Sequence, residues 1–145
     1  MIPVLIQVSA GSRDRHVYDE HTLTHAGIHP VSGSYPEPCG FVVGTAAADS
    51  EGVDCYLLTR DHLEPGSIVD CEPIGLLLQK EGGEIDPKVL GVLPGQEVEI
   101  GPSLLSELQA FISALFAGFP AVSVSVGPIF PREAALRYIQ ILGRA

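Results

Sequence analysis

The sequence has 145 residues, 46% of them hydrophobic and 18% charged, which suits one domain with a single core and argues against disorder. Eight Lys and Arg stand against eighteen Asp and Glu, a formal net charge of −10, and this disfavours both duplex nucleic acid, which needs a basic face, and an anionic membrane surface. The same excess is compatible with divalent cations, because clustered carboxylates repel one another until a cation neutralises them.

The chain starts Met1-Ile2-Pro3-Val4 with no basic n-region, so it does not read as a signal peptide. No apolar stretch approaches the roughly 20 residues of a membrane span. Up to about residue 102 short apolar runs alternate with Gly and Pro turn signals. Residues 3–8 are predicted to form a strand, with 15–18 as its expected hairpin partner across Ala10-Gly11-Ser12-Arg13-Asp14. Further strands are expected over 41–45, 53–58, 67–78 and 88–93; residues 74–78 are almost purely apolar, which predicts burial on both faces.

The period then changes. Leu104, Leu105, Leu108, Phe111, Ile112, Leu115 and Phe116 recur at helical spacing, with Ser103 as the expected N-cap and Gly118 where a helix end is often closed. Residues 122–126 alternate valine with serine, as a half-buried strand does. A second helix is expected over 131–142, with Ala135, Leu136, Ile139 and Leu142 facing inward, Pro131 in its first turn and Gly143 at its end. The fold class is mainly β with α: a small barrel of short strands with two helices attached late.

Cys39, Cys55 and Cys71 form no CxxC pair and are odd in number, so a disulfide framework or zinc ribbon is not expected and a reducing cytoplasm suits them. His21, His25 and His29 are spaced four apart and would share a helix face able to bind zinc. Gly27 and Pro30 oppose that helix, and Thr22-Leu23-Thr24 is β-prone, so solvated loop histidines are the preferred reading.

Ten of the eighteen acids lie between residues 49 and 86: Asp49, Glu51, Asp54, Asp61, Glu64, Asp70, Glu72, Glu81, Glu84 and Asp86. One group, Asp49-Ser50-Glu51-Gly52-Val53-Asp54, enters a strand, and another, Glu81-Gly82-Gly83-Glu84-Ile85-Asp86-Pro87-Lys88, joins two strands. If those strands are neighbours, the carboxylates converge on an oxygen-only site suited to Mg²⁺ or Mn²⁺. Lys88 shares a strand side with Asp86 and is placed to hold a phosphate oxygen. Acidic glycine-bearing loops are also common solvated turns, and composition alone does not separate the two readings.

The run Asp49-Ser50-Glu51-Gly52-Val53-Asp54, followed by Cys55-Tyr56-Leu57-Leu58, resembles the D-G-D-P-x-D signature and apolar strand of the soluble family I inorganic pyrophosphatases. The similarity continues through Pro65-Gly66-Ser67-Ile68-Val69, Glu72-Pro73-Ile74-Gly75-Leu76, residues 81–86 and Lys88-Val89-Leu90-Gly91-Val92. Upstream, Ile6-Gln7-Val8, Gly11-Ser12-Arg13-Asp14-Arg15, Tyr35-Pro36, Gly40-Phe41 and Gly44-Thr45 follow in the family's order. The resemblance implies a five-stranded OB-like barrel with peripheral helices, one domain over residues 1–145, and Mg²⁺-dependent hydrolysis of pyrophosphate, with Mn²⁺ as the other candidate cation. It implies that Asp49, Asp54 and Asp86 bind metal with help from Glu81, that catalysis rests on Glu51 and Asp54, with Glu51 orienting or deprotonating the water, and that Lys88, Arg15 and Tyr35 bind substrate.

Departures from the family pattern are equally specific. Gln7 replaces a usual glutamate, Cys39 a site tyrosine, and Leu115-Phe116 a Tyr-Lys pair; the arginine expected about eight residues before Tyr35 falls near Gly27. The metal half is therefore mostly retained while the substrate clamp is depleted. This leaves two alternatives beside the pyrophosphatase: a catalytically impaired relative that binds a divalent metal or phosphate, and a hydrolase of another phosphoanhydride. Cys39 reads as a small buried filler rather than a reactive thiol. Assembly into a homo-oligomer is compatible with the sequence and not specified by it.

Overall fold

The computed structural model describes residues 1–30, 35, 37–46, 51–117 and 121–143. The elements in chain order are β1 (Ile2–Val8), β2 (Asp14–Tyr18), β3 (His25–Pro30), β4 (Cys39–Val42), β5 (Asp54–Leu57), β6 (Ile68–Glu81), β7 (Glu84–Ile85), β8 (Lys88–Val92), α1 (Pro102–Leu115), β9 (Val124–Pro131) and α2 (Arg132–Ile141). β1 pairs antiparallel with β4, β4 with β5, β5 parallel with β8, β8 antiparallel with β6, and β6 with β1. Those five strands close a ring, in the arrangement expected of an OB-like fold.

β6 is the strand that closes it. At 14 residues it is longer than the run expected from sequence, and a register shift between Pro73 and Gly75 divides its duties. Ile68–Cys71 pairs with β1, the middle with β8, and the far half with β7 and β9.

Alternation along the strands sorts side chains into two cores. Cys55 and Leu57 of β5 join Val4, Ile6, Val42, Cys71 and Val89 under α2, while Tyr56 and the following Leu58 join Val8, Leu77 and Leu90 under α1. Both faces of these strands are thus covered, which explains their nearly unbroken apolar runs. α1 buries Leu104, Leu108 and Ile112, the i, i+4, i+8 stripe predicted by its period.

Several expectations are corrected. β2 does not pair with β1; both edges of β1 are taken by β4 and β6, so β2 pairs with β3 in a separate two-stranded sheet. It is tied back to β1 by the Gln7 amide, which donates to the carbonyl of His16 at 3.3 Å. α1 is capped by Gly101 rather than Ser103, because Pro102 already occupies its first turn. The strand expected over 122–126 runs over β9, since β6 offers an edge as far as Pro131. α2 starts after Pro131, and it turns Ala135 and Ile139 inward with Ala134, Tyr138 and Leu142, while Leu136 is 40% exposed. Gly118 lies outside the described residues. Among those described, no helix is long and apolar enough to cross a membrane.

The close approach of β1 and β4 depends on Gly40: a Cβ there would lie 2.0 Å from the Leu5 carbonyl oxygen. Backbone cannot yield as a side-chain end can, so Gly40→Ala is expected to lower unfolding free energy by about 1–3 kcal/mol. Urea denaturation checks this; a midpoint like that of the wild type contradicts it.

Candidate active site

Asp54 opens β5 and Lys88 opens β8. Because these strands are parallel neighbours with Cys55 opposite Val89, both side chains leave the ring at the same end. The turn after β7 brings Asp86 to the same place. The Lys88 ammonium donates to Asp54 Oδ2 at 2.5 Å and to Asp86 Oδ2 at 2.7 Å. The convergence expected if the two acidic groups led neighbouring strands is therefore present for Asp54 and Asp86. Lys88 is only 6% exposed. Burial works against its charge, but the Asp54 and Asp86 carboxylates outweigh it and hold its pKa well above the ordinary lysine range.

Beside these groups lies a cleft of about 90 Å³ lined by Arg15, Tyr35, Asp54, Tyr56, Gln79, Glu81 and Lys88, among others. Arg15 comes from β2, and its hairpin is held over the ring by the Gln7 contact. Burial opposes the charge of Arg15; anionic Cys39 and Tyr35 would favour it, as do Asp54 and Glu51. Since the Cys39 thiol is neutral at ordinary pH, the two carboxylates carry that effect.

Glu81 is fixed by a buried relay. The Tyr56 hydroxyl donates to Gln79 Oε1 at 3.4 Å, and the Gln79 amide donates to Glu81 Oε1 at 2.6 Å. Gln79 is 1% exposed. The relay was missed in the sequence, although a signal existed: Leu77, Gln79 and Glu81 share a face of β6, so Gln79 is a lone amide at an inward position.

Of the eight residues expected at the site, Arg15, Tyr35, Asp54, Glu81 and Lys88 line one cleft, and Asp86 adjoins it through Lys88. Glu51 is exposed on the bend before β5, within electrostatic reach of Arg15 but outside the cleft lining. Asp49 lies outside the described residues. Gln7 ties β1 to β2 and does not line the cleft. Leu115 and Phe116, at the end of α1, do line it, and so does Cys39. Phe111 of α1 backs this wall, with ring centroids 5.2 Å from Tyr35 and 5.8 Å from Tyr56.

The histidines lie elsewhere. His25 and His29 are on β3, not on a helix or in a loop, because β2 supplies that segment with backbone partners. His25 Nε2 lies 3.0 Å from His16 Nδ1. Among the described residues no three His, Cys, Asp or Glu side chains are grouped closely enough to enclose an ion by themselves.

A family model described as inorganic pyrophosphatase matches residues 4–112 of this chain. The inorganic pyrophosphatase of Sulfolobus acidocaldarius is 31% identical over 94 residues, which cover 63% of this chain and 54% of that protein. The chain thus spans about half the length of that relative. The inorganic pyrophosphatase of Methanosarcina acetivorans is 27% identical over 94% of this chain and 92% of its own length. The crystal structure of inorganic pyrophosphatase from Thermus thermophilus superposes with a TM-score of 0.82 at 26% identity, covering 97% of this chain and 87% of that one.

The Cys39 thiol lines the site and, like the other two free cysteines, is buried. Burial, and then the nearby Asp54 carboxylate, push its pKa from 9.0 up to about 12. The unfolded chain therefore loses this proton first. The stability contribution is complete below pH 9 and falls as pH rises towards 12, by up to about 1.4 kcal/mol per pH unit. Cys39→Ala is expected to flatten that part of the stability curve; parallel curves for the two proteins between pH 9 and 11 would contradict it.

Proposed function

Because the chain belongs to the inorganic pyrophosphatase family, we propose that it hydrolyses inorganic pyrophosphate to two phosphates with a divalent cation, Mg²⁺ in the first place and Mn²⁺ as substitute. The observation that carries this reading is the set of carboxylates gathered about one buried ammonium: Asp54 and Asp86 on Lys88, with Glu81 in the same cleft. The donor set is oxygen only and holds more negative than positive charge, which fits a hard divalent cation and not a thiolate-loving one.

Asp54, Asp86 and Glu81, with Asp49, would hold the cation. Bound there, it supplies charge neutralisation for the phosphates and lowers the pKa of a water ligand. The remaining work falls to the protein's own groups. Lys88 and Arg15 bind phosphate oxygens through charge-assisted hydrogen bonds. Arg15 stands where a lysine is usual, and its planar fork imposes a different contact geometry. Tyr35 stays protonated because burial raises its pKa, so its hydroxyl donates to the substrate. Glu51, on the bend before β5 within electrostatic reach of Arg15, is the proposed group that orients the attacking water and takes its proton. Attack is in line on one phosphorus, with the other phosphate as leaving group. The Tyr56–Gln79 relay keeps the Glu81 carboxylate aimed at the cleft.

Residues 1–145 are proposed to form one domain, since both helices pack on the strands that carry the site. Three free buried thiols support a cytoplasmic setting. The net charge of −10 disfavours a nucleic acid or an anionic membrane surface as partner.

Phosphate release from pyrophosphate with Mg²⁺ tests the activity directly. Asp54→Asn keeps an oxygen for Lys88 but removes a charge, and it is expected to lower turnover by roughly 10²-fold or more, the scale on which preorganised charge acts in a water-poor site. Turnover like that of the wild type at saturating Mg²⁺ would exclude the proposed role of Asp54.

Cation binding has its own readout. A cation that binds only the folded state stabilises it by mass action. Mg²⁺ and Mn²⁺ are expected to raise the melting temperature of the wild type and to leave an Asp54→Asn, Asp86→Asn double variant unmoved. Na⁺ at equal ionic strength should not reproduce the rise, because screening acts on all surface charges. A cation-independent melting temperature rules out the metal site.

A further inference from the structure

Tyr56 stands two residues after Asp54 on β5, so both side chains leave the strand on the same side, and both line the cleft. Tyr56 is 5% exposed and belongs to the core under α1 with Leu77, Leu90 and Leu108. Its hydroxyl lies among polar groups, within electrostatic reach of Lys88, Asp54 and Tyr35. Among the described residues the one hydrogen-bond partner of that hydroxyl is Gln79 Oε1, at 3.4 Å. Well-formed O–H···O bonds measure about 2.5–3.0 Å, so this buried donor stands at the edge of bonding range and recovers little of the hydration it gave up. The carboxylates beside it are engaged more closely, Asp54 Oδ2 by Lys88 at 2.5 Å and Glu81 Oε1 by Gln79 at 2.6 Å. Burial holds the phenol well above its ordinary pKa, although Lys88 works against it, so the hydroxyl keeps its proton and can donate. Phe111 of α1 meets two phenols of the cleft edge-on, with centroids 5.2 Å from Tyr35 and 5.8 Å from Tyr56, and so restrains the tilt of both rings.

We infer that the Tyr56 hydroxyl is a substrate-binding donor, which turns from Gln79 to a phosphate oxygen of the diphosphate when the cleft is loaded. A bond to a charged acceptor is shorter and roughly twice as strong as a neutral one, so an anionic phosphate oxygen outcompetes an amide oxygen held at 3.4 Å. Lys88 and Arg15 bring the positive charge that draws a phosphate to this place, and Tyr56 adds a donor without adding charge. The hydroxyl can leave Gln79 at small cost. Ionised Glu81 only accepts, so the Gln79 amide nitrogen stays turned towards it and keeps its 2.6 Å bond after the phenol has moved. Gln79 Oε1 then gives up only the long contact. The inference rests on the phosphohydrolase reading of the cleft, and it adds Tyr56 to Arg15, Tyr35 and Lys88 as a residue that touches substrate.

Tyr56→Phe removes the hydroxyl and keeps the ring against Phe111. Calorimetry on the full chain measures two affinities for the wild type and this variant. One is for Mg²⁺ alone; the other is for methylenediphosphonate, which is not hydrolysed at the bridge, at saturating Mg²⁺. Loss of a hydrogen bond to a charged group is expected to weaken methylenediphosphonate about tenfold or more, while Mg²⁺ affinity stays that of the wild type. Equal methylenediphosphonate binding by the two proteins overturns the inference. A matching loss of Mg²⁺ affinity also overturns it, because Tyr56 would then act through Gln79 on Glu81. The same comparison in a Gln79→Leu background gives an independent reading: a direct donor keeps its effect there, and an effect that vanishes belongs to the relay and counts against the inference. If Gln79→Leu does not fold, the two affinities in the natural background decide. Phosphate release from pyrophosphate by the wild type is followed in parallel. Release together with equal diphosphonate binding removes Tyr56 alone from the substrate contacts. Neither release nor diphosphonate binding by the wild type defeats the hydrolase reading, and this inference with it.

Discussion

A lysine ammonium at 6% exposure is tolerable only if its charge is met where it stands. Asp54 and Asp86 meet that of Lys88 at 2.5 and 2.7 Å, and the three groups come from two parallel strands and the turn that leads into one of them. The strand pairing therefore has a chemical reason to be in one register only. A slip of one residue between β5 and β8 would turn Asp54 and Lys88 to opposite faces and leave a charge buried without its partner. The same contact that selects the register also assembles the polar half of the cleft, so the fold and the site share one constraint.

From this point the rest of the architecture follows by packing. β8 lies in the interior of the sheet, between β5 and β6, and all five of its residues are buried. That requires cover on both faces, which the two helices give: α2 over the core containing Val89 and Cys71, α1 over the core containing Leu90 and Leu77. Space in the first core is tight enough that Gly91 admits no side chain, since a Cβ there would lie 2.1 Å from Cys71 Sγ. The long strand β6 joins these layers. Its bulge at Pro73 lets one strand close the ring with β1 and still offer its far half to β9, and through β9 to α1.

The site takes its uneven character from the same division. Residues on β5, β6 and β8 supply acids, an amide and a lysine from inward positions, while the end of α1 supplies only Leu115 and Phe116. The end of α1 sets the local balance of charge and apolar surface there without taking part in the strand pairing beneath.

The sequence by itself determined what local chemistry and periodicity can express. The apolar runs predicted β1, β4, β5, β6 and β8, and the helical stripe predicted α1, because burial of a strand or helix face leaves a period of two or of 3.6. The acidic signature, Lys88, Tyr35 and the replacement at Leu115-Phe116 were likewise legible as residue types at fixed spacing. Partnership was not. Residues 15–18 looked like a hairpin with β1, yet pair with His25–Pro30, because only the closed ring shows that both edges of β1 are occupied. Leu136 looked inward on period alone, but α2 packs Tyr138 on the core and leaves Leu136 40% exposed. Glu81 was recognised, whereas the Gln79 and Tyr56 side chains that hold it come from different strands, 23 residues apart. Distance along the chain carries no information about such a contact; it arises when the ring brings Asp54, Asp86 and Lys88 together and the remaining side chains must satisfy one another in the space left.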